Sequence, residues 1–150
     1  MNITEKENKS ESLFNKKEIF CKIKSPYNIQ DLKLNPNYLN ILLVGTRIQI
    51  DLFNIPEKSQ EELIEKPKFI FNKNAIGFNF AVFNPFNSHI IACAYDELIQ
   101  IWSVRRPVIH KIDCLDEPIN MKWEKINLLG FIDKITTIKI YDNIKKKNNF

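Results

Sequence analysis

The most constraining feature of the sequence is a pair of strand-like runs joined by two acidic residues. Residues 83–104 read FNPFNSHIIACAYDELIQIWSV, and the runs 89–95 and 98–104 flank Asp96 and Glu97. β-Branched and aromatic residues favour a pleated, half-buried strand, and a two-residue polar gap between such runs is typical of a β-hairpin. Asp96 suits this turn because its short side chain can bond nearby backbone. We therefore predict a hairpin here.

The same order of landmarks occurs upstream at a constant spacing. Asn35 and Asn84 each precede a proline and lie 49 residues apart, and Arg47 falls at the position of Asp96. Several landmarks that share one offset indicate an internal repeat. The same shift places Gly45 on Ala94, Ile50 on Ile99, Leu52 on Ile101 and Phe53 on Trp102, while Ile138, Ile140 and Tyr141 follow Ile99, Ile101 and Trp102 by 39 residues.

Composition predicts one domain with charged ends. The chain has 150 residues, of which 44% are hydrophobic and 11 are Phe, so a core can form. The formal net charge of +4 comes largely from the ends. We predict a polar flexible leader at 1–19 and a basic tail at 145–150. No basic run interleaved with aromatics occurs between them, which argues against nucleic-acid binding.

The cysteines and the apolar runs predict a cytoplasmic protein without a metal. Cys21, Cys93 and Cys114 are widely spaced and form no Cys-x-x-Cys pair, so we expect buried free thiols and no zinc. The first residues lack the apolar core of a secretory signal, and no apolar run approaches the roughly 18 residues of a membrane span. We therefore expect no membrane association.

Residues 83–104 resemble a WD repeat, the unit of a family of β-propellers. The matching residues are Pro85, Ala92, Ala94, Asp96, Ile99, Ile101 and Trp102, whereas Ser103 replaces the final Asp of the motif and the chain contains no Gly-His pair. The resemblance implies an all-β fold, a partial WD-repeat β-propeller of about three four-stranded antiparallel blades. The predicted repeats span about 20–55, 69–104 and 105–144.

Residues 56–68 form a polar segment bounded by prolines, which we interpret as a surface loop between repeats. Ser59, followed three residues later by Glu62, has the pattern that caps a short helix. The resemblance also assigns fourth strands, 69–71 to the first blade and 108–112 to the second. Residues 20–24 would serve the third blade by the ring-closing exchange of the family.

A propeller closes with four to eight blades, so three blades form an open arc with exposed sheet edges. We therefore expect self-association or assembly with further blades. Within the WD-repeat family, residues 53–57 and 107–114 are similar to inter-repeat segments of coronin, which implies actin as a partner and a cytoskeletal location. An alternative is a subunit of an RNA-processing or ribosome-assembly complex, with Arg105, Arg106 and the basic ends as contacts.

Catalysis has little support in the sequence. His89 and His110 stand alone on strand-like runs, and the chain has no phosphate-binding Gly loop, HExxH or GxSxG motif. We expect a non-enzymatic protein-interaction scaffold with no cofactor. In the WD-repeat family partners commonly bind the face that carries the turns between second and third strands. The resemblance places six residues there as a largely acidic binding rim, namely Asp96, Glu97, Asp116, Glu117, Asp133 and Lys134.

Overall fold

The structure is a computed structural model that describes residues 19–59, 63–134 and 138–142, except for the side chains of residues 106–109. The predicted basic tail and nearly all of the predicted leader lie outside these ranges. The described residues form strands joined by turns, and they contain no helix that is long and apolar enough to cross a membrane.

Thirteen strands follow one another along the described chain. They are β1 (Lys22–Ile23), β2 (Ile29–Leu34), β3 (Ile41–Thr46), β4 (Ile50–Asn54), β5 (Leu63–Ile64), β6 (Phe69–Asn72), β7 (Phe80–Phe83), β8 (Ile90–Ala94), β9 (Leu98–Ser103), β10 (Arg106–Asp113), β11 (Pro118–Lys125), β12 (Leu128–Asp133) and β13 (Ile138–Asp142).

Three antiparallel sheets account for most of these strands. The first sheet has the order β2-β3-β4-β6, the second has β7-β8-β9-β10, and the third has β11-β12-β13. The predicted fourth strands of the first two sheets are confirmed, since β6 pairs with β4 and β10 pairs with β9. Each sheet is a meander, and the first strand of each sheet lies nearest the adjacent sheets. β7 of the second sheet contacts β2 of the first sheet and β11 of the third.

The hairpin predicted around Asp96 is confirmed. β8 and β9 pair antiparallel, and the N–H of Tyr95 donates to the carbonyl of Leu98 at 2.8 Å across the two-residue gap. Ile99 and Ile101 are buried while Leu98, Gln100 and Trp102 are half-buried, as alternation along a pleated strand requires. The local pattern of apolar residues therefore determines which face of this hairpin enters the core.

The repeat of 49 residues is confirmed at the level of strand register. All five residue pairs between β3 and β4 recur between β8 and β9, so that Val44 opposite Asp51 becomes Cys93 opposite Gln100. In the third sheet Tyr141 pairs with Leu129 as Trp102 pairs with Ile91. Because a slip of one residue would turn every side chain to the opposite face, a shared register means shared inward and outward positions.

The prediction for residues 20–24 is wrong. β1 does not join the third sheet but pairs in parallel with β5, with Lys22 opposite Leu63. The N–H of Lys24 donates to the carbonyl of Ile64, and its ammonium lies 3.5 Å from Glu65. The segment 56–68 therefore supplies a strand. The predicted helix cap is only partly tested, since residues 60–62 lie outside the described ranges.

Two apolar clusters hold the three sheets face to face. The first contact, between the first and second sheets, contains Leu43 and Phe71 on one side and Phe78 and Tyr95 on the other. The second contact, between the second and third sheets, is made by buried residues that include Ile99, Ile101, Met121, Trp123 and Leu129. Both faces of the second sheet are therefore covered, as in the inner layer of a stack.

Buried asparagines join the turns of neighbouring sheets. The Oδ1 of Asn84 accepts the N–H groups of Phe86 and Asn87, and its Nδ2 donates to the carbonyl of Ile126 in the third sheet at 2.9 Å. Asn35 caps its own turn in the same way and donates to the carbonyl of Ser88 in the second sheet at 3.2 Å. The sequence alone identifies these residues as turn landmarks but not as links between sheets.

Candidate interaction surface

The turns at one end of the sheets are tied together by backbone hydrogen bonds. The N–H of Cys114 donates to the carbonyl of Glu97 at 2.9 Å, and the N–H of Lys134 donates to the carbonyl of Glu117 at 3.1 Å. The same tie recurs in the first sheet between Ala75 and Ile48. These bonds fix the relative positions of the turns, which we call the rim (residues 46–49, 73–79, 95–98, 114–117 and 133–134).

Asp96 and Glu97 occupy an exposed turn of the second sheet. The Oδ1 of Asp96 lies 3.5 Å from the Nδ2 of Asn79, which donates to it. Gly77 makes room for the other carboxylate oxygen, because a Cβ on Gly77 would lie 2.6 Å from Oδ2 of Asp96. The φ of Gly77 is +76°, a conformation that favours glycine. The rim therefore holds Asp96 in place while leaving its carboxylate at the surface.

Asp116 and Glu117 lie in the turn that leads from the second sheet into the third. The Oδ1 of Asp116 accepts the N–H of Glu117 at 2.8 Å, and the carboxylate of Glu117 forms an ion pair with Lys134. Glu117 raises the pKa of the Lys134 amine, and the negative charges of Asp116 and Asp96 raise it further. Asp96, Asp116, Glu117 and Lys134 thus form one electrostatic group.

Asp133 differs from the other residues predicted for the rim, because its side chain is buried. It is 1% exposed, and its Oδ2 lies 2.5 Å from the Nζ of Lys139, which donates to it. The sequence does not predict the pairing with Lys139, because the local pattern does not show that the two side chains point toward each other. A buried carboxylate cannot meet a partner directly, so we omit Asp133 from the proposed surface.

The first sheet carries the opposite charge at its part of the rim. Arg47 is exposed at the position that Asp96 occupies in the second sheet, and Lys73 is exposed in the neighbouring loop. The turn itself is held by Thr46, whose Oγ1 accepts the N–H groups of Ile48 and Gln49. The acidic character predicted for the rim therefore belongs to the second and third sheets.

Candidate catalytic groups do not assemble in the described part of the chain. No group of three or more His, Cys, Asp or Glu residues there could hold a metal ion. His110 lies beside the ring of Tyr141, with the ring centroids 6.1 Å apart. Burial raises the pKa of the Cys93 thiol, and the charge of Asp31 raises it further, which keeps this sulfur protonated. These groups serve the packing of the sheets.

The whole arrangement is similar to that of a solved WD40 domain. The WD40 domain of Toxoplasma gondii coronin, known from a crystal structure, aligns with a TM-score of 0.74 and 23% sequence identity, over 81% of this chain and 33% of the other. The chain therefore spans about a third of the length of that protein. No protein-family model matches the chain, and no curated protein matches it.

This likeness confirms the fold inferred from the sequence, which is a partial WD-repeat β-propeller built of antiparallel sheets. In such a fold, loops lie on a rigid framework of sheets.

Proposed function

We propose that the chain is a non-enzymatic protein-interaction module whose acidic rim binds a basic segment of a partner protein. Asp96, Glu97, Asp116 and Glu117 supply the carboxylates. Lys134 pairs with Glu117 and leaves the other three without a described cationic side chain within ion-pair distance. A surface of one sign of charge attracts an oppositely charged segment and orients it during encounter.

The observation that carries this proposal is the grouping of the acidic residues around Lys134. Asp96 and Glu97 belong to the second sheet and Asp116 and Glu117 to the connection into the third, yet the backbone bond from Cys114 to Glu97 ties the two turns together and Lys134 pairs with Glu117. Residues distant in sequence thus contribute to one field. A partner segment with several Lys or Arg residues needs such a group of carboxylates, because a single exposed ion pair contributes little binding free energy.

Charge reversal of Glu97 tests the proposal. Glu97 is exposed, so Glu97→Lys should leave the fold intact while weakening binding of a lysine-rich synthetic peptide by about two- to fivefold at low salt. Glu57→Lys is the matched control, since Glu57 is exposed outside the rim. Fluorescence anisotropy at several salt concentrations provides the measurement. Equal loss in both variants, or no loss in either, would show that the rim is not the binding surface.

The finer part of the proposal is a coronin-like role with actin as the partner and a cytoplasmic, cytoskeleton-associated location. The likeness to a coronin WD40 domain supports it, together with the inter-repeat segments 53–57 and 107–114. Cosedimentation with actin filaments should carry the chain into the pellet, and Glu97→Lys should reduce the bound fraction. Salt-sensitive binding to RNA without binding to filaments would contradict this part.

We also propose that the chain associates with further propeller blades, since three sheets leave an open arc. This association involves the outer faces of the end sheets and is separate from the rim.

A further inference from the structure

The first sheet has a pocket of about 420 Å³ at its part of the rim. The pocket lies between the segment that leads into β2 and the turn between β3 and β4. Its lining combines one cation, two side-chain amides and apolar surface, and no described residue that lines it is acidic. The lining residues are Pro26, Tyr27, Asn28, Gln30, Arg47 and Ile48.

The internal repeat shows how this part of the rim differs from the second sheet. The shift of 49 residues places Gln30 on Asn79 and Arg47 on Asp96. In the second sheet Asn79 donates to the carboxylate of Asp96 at 3.5 Å, which joins the two segments that carry them. No described side-chain hydrogen bond joins Gln30 to Arg47, and the pocket lies between their segments. The first sheet thus keeps open a space that a polar contact bridges in the second.

The guanidinium of Arg47 is available to a ligand from outside the chain. Arg47 is exposed, and the ion pairs formed between described residues use other cations. Lys73 is exposed in the neighbouring loop, which the N–H of Ala75 ties to the carbonyl of Ile48 at 2.9 Å. A positive charge beside an open pocket attracts an anionic group.

Exposed apolar side chains accompany this charge. Tyr27 is 39% exposed and Ile48 is 49% exposed, and both line the pocket. Ile76 is 78% exposed in the loop that is tied to Ile48. Exposed apolar groups beside an arginine and a tyrosine are typical of protein-binding surfaces, where these two residue types are enriched. The combination suits an anionic peptide better than an inorganic anion, which has no apolar group to pack.

We propose that this pocket, the Arg47 site (residues 26–30 and 47–48), binds an acidic peptide segment of a partner protein, in which Asp or Glu lies next to an apolar residue. The planar guanidinium of Arg47 can donate two parallel hydrogen bonds to one carboxylate. Tyr27 and Ile48 pack against the neighbouring apolar side chain, and the amides of Asn28 and Gln30 pair with groups of the peptide backbone. The site differs in place and charge from the acidic residues of the second and third sheets and does not depend on them.

The first experiment locates the binding of a probe on the full chain. The probe is a fluorescent synthetic peptide that contains Glu-Leu-Glu-Phe in a Gly-Ser background. Titration of the isotope-labelled chain should shift the NMR signals of the Arg47 side chain and of the backbone amides at 27–30 and 47–48. The same peptide with Lys in place of Glu should leave these signals unchanged.

Charge reversal tests the role of the guanidinium. Arg47→Glu should lower the affinity for the acidic peptide about five- to tenfold at low salt, because repulsion replaces a charge-assisted pair. Arg105→Glu is the matched control, since Arg105 is exposed between β9 and β10 and lies outside the site. Arg47→Lys keeps the charge without the two parallel bonds, so its loss should be intermediate. Fluorescence anisotropy gives the affinities, and circular dichroism confirms that each variant remains β-rich.

The apolar half of the site is tested separately. Tyr27→Ala should lower the affinity about fivefold, as removal of an aromatic anchor does at other interfaces. Tyr38→Ala is the matched control, because Tyr38 is 49% exposed but lies in the turn between β2 and β3. A peptide with Ser in place of Leu and Phe should already have lost this contact, so Tyr27→Ala should cause little further loss with it.

Three results would overturn the inference. They are equal losses of affinity for Arg47→Glu and Arg105→Glu, NMR shifts confined to residues outside the Arg47 site, and a doubled molar mass in light scattering that Arg47→Glu returns to 17.7 kDa, since a second copy would then occupy the site. The lysine-rich peptide reports on the acidic residues in the same samples. A chain that binds only the acidic peptide would contradict the proposed function alone, and a chain that binds only the lysine-rich peptide would contradict the Arg47 site alone.

Discussion

The first and second contacts use equivalent positions of the sheets but fill them differently. In the first contact Gly45 lies against the fully buried ring of Phe78, and a Cβ at Gly45 would lie 2.2 Å from that ring. The second sheet has Ala94 at the position of Gly45. The first contact also pairs Phe78 with Tyr95 edge to face, with centroids 5.9 Å apart.

The polar links across the two contacts differ as well. In the first contact the Oδ2 of Asp31 accepts the N–H of Ala81 at 2.9 Å. A carboxylate thus provides the hydrogen-bond acceptor for a backbone N–H at the free edge of β7. In the second contact the Nε1 of Trp123 donates to the carbonyl of Val82 at 3.4 Å. The repeats therefore share their strand register, but different residues fill and link the two contacts.

The largest expected change in stability separates a glycine that is packed against a side chain, Gly45, from one with open space beside it, Gly130. Gly45→Ala should destabilise the protein by about 2 kcal/mol, because the new methyl group overlaps Phe78 in a closed core. Gly130→Ala is the control, since its nearest neighbours lie at 3.8 Å or more, and we expect a change within about 0.5 kcal/mol. Urea unfolding of both variants provides the comparison, and equal losses would contradict it.

Removing the hydrogen bonds of the buried asparagines should have the second-largest effect on stability. Asn84→Ala and Asn35→Ala each leave two turn N–H groups without their side-chain acceptor, so each should cost about 1–2 kcal/mol. Asn84 should matter more, because it is fully buried and its bond to the next sheet is 2.9 Å rather than 3.2 Å. Asn37→Ala, at an exposed position with a 3.4 Å bond, is the control. A larger loss at Asn37 would contradict the assignment.

The link made by Asp31 should have a smaller effect. Asp31→Ala removes the acceptor from the N–H of Ala81 and should cost about 1 kcal/mol. Asp31→Asn retains an acceptor oxygen and should recover most of that loss, although it also removes the charge that lies 3.4 Å from Lys33. Thermal unfolding of the two variants separates the roles. Equal destabilisation would show that charge, rather than the hydrogen bond, is what Asp31 contributes.

The smallest effect concerns pH. Burial raises the pKa of Asp51, although hydrogen bonds from Gln49 lower it in part. A carboxyl with a raised pKa binds its proton more tightly in the folded chain, so its contribution is most favourable at low pH and is lost as the pH rises through that pKa. Asp51→Asn should therefore gain stability relative to the wild type as the pH rises from acid to neutral. A constant difference across pH would contradict this.

The second sheet provides the reference for that prediction, because the neutral Gln100 stands at the register position of Asp51. Gln100 accepts the indole N–H of Trp102 at 3.1 Å, a bond that does not depend on pH near neutrality. The first sheet therefore has a titrating side chain at this register position, and the second sheet has one that does not titrate.

Much of the fold could be predicted from particular residues. The hairpin at Asp96 follows from alternation over residues 98–104, and the equivalence of Gly45 with Ala94 follows from the spacing of the Asn-Pro pairs. Both are local patterns that recur. The candidate site was less predictable. The sequence placed Asp96, Glu97, Asp116 and Glu117 in turns, but the burial of Asp133 depends on the approach of Lys139.

The sequence by itself determined the strands, the turns and the register that relates the repeats, because alternation and turn chemistry act between near neighbours. Only the tertiary structure decided the parallel pairing of β1 with β5, the links from Asp31, Asn35 and Asn84 to neighbouring sheets, and the exposure of Ile138 and Ile140 on the third sheet. Those features depend on residues about 40 or more positions apart in the chain. Their meeting depends on how whole sheets pack, and a local sequence pattern carries no record of it.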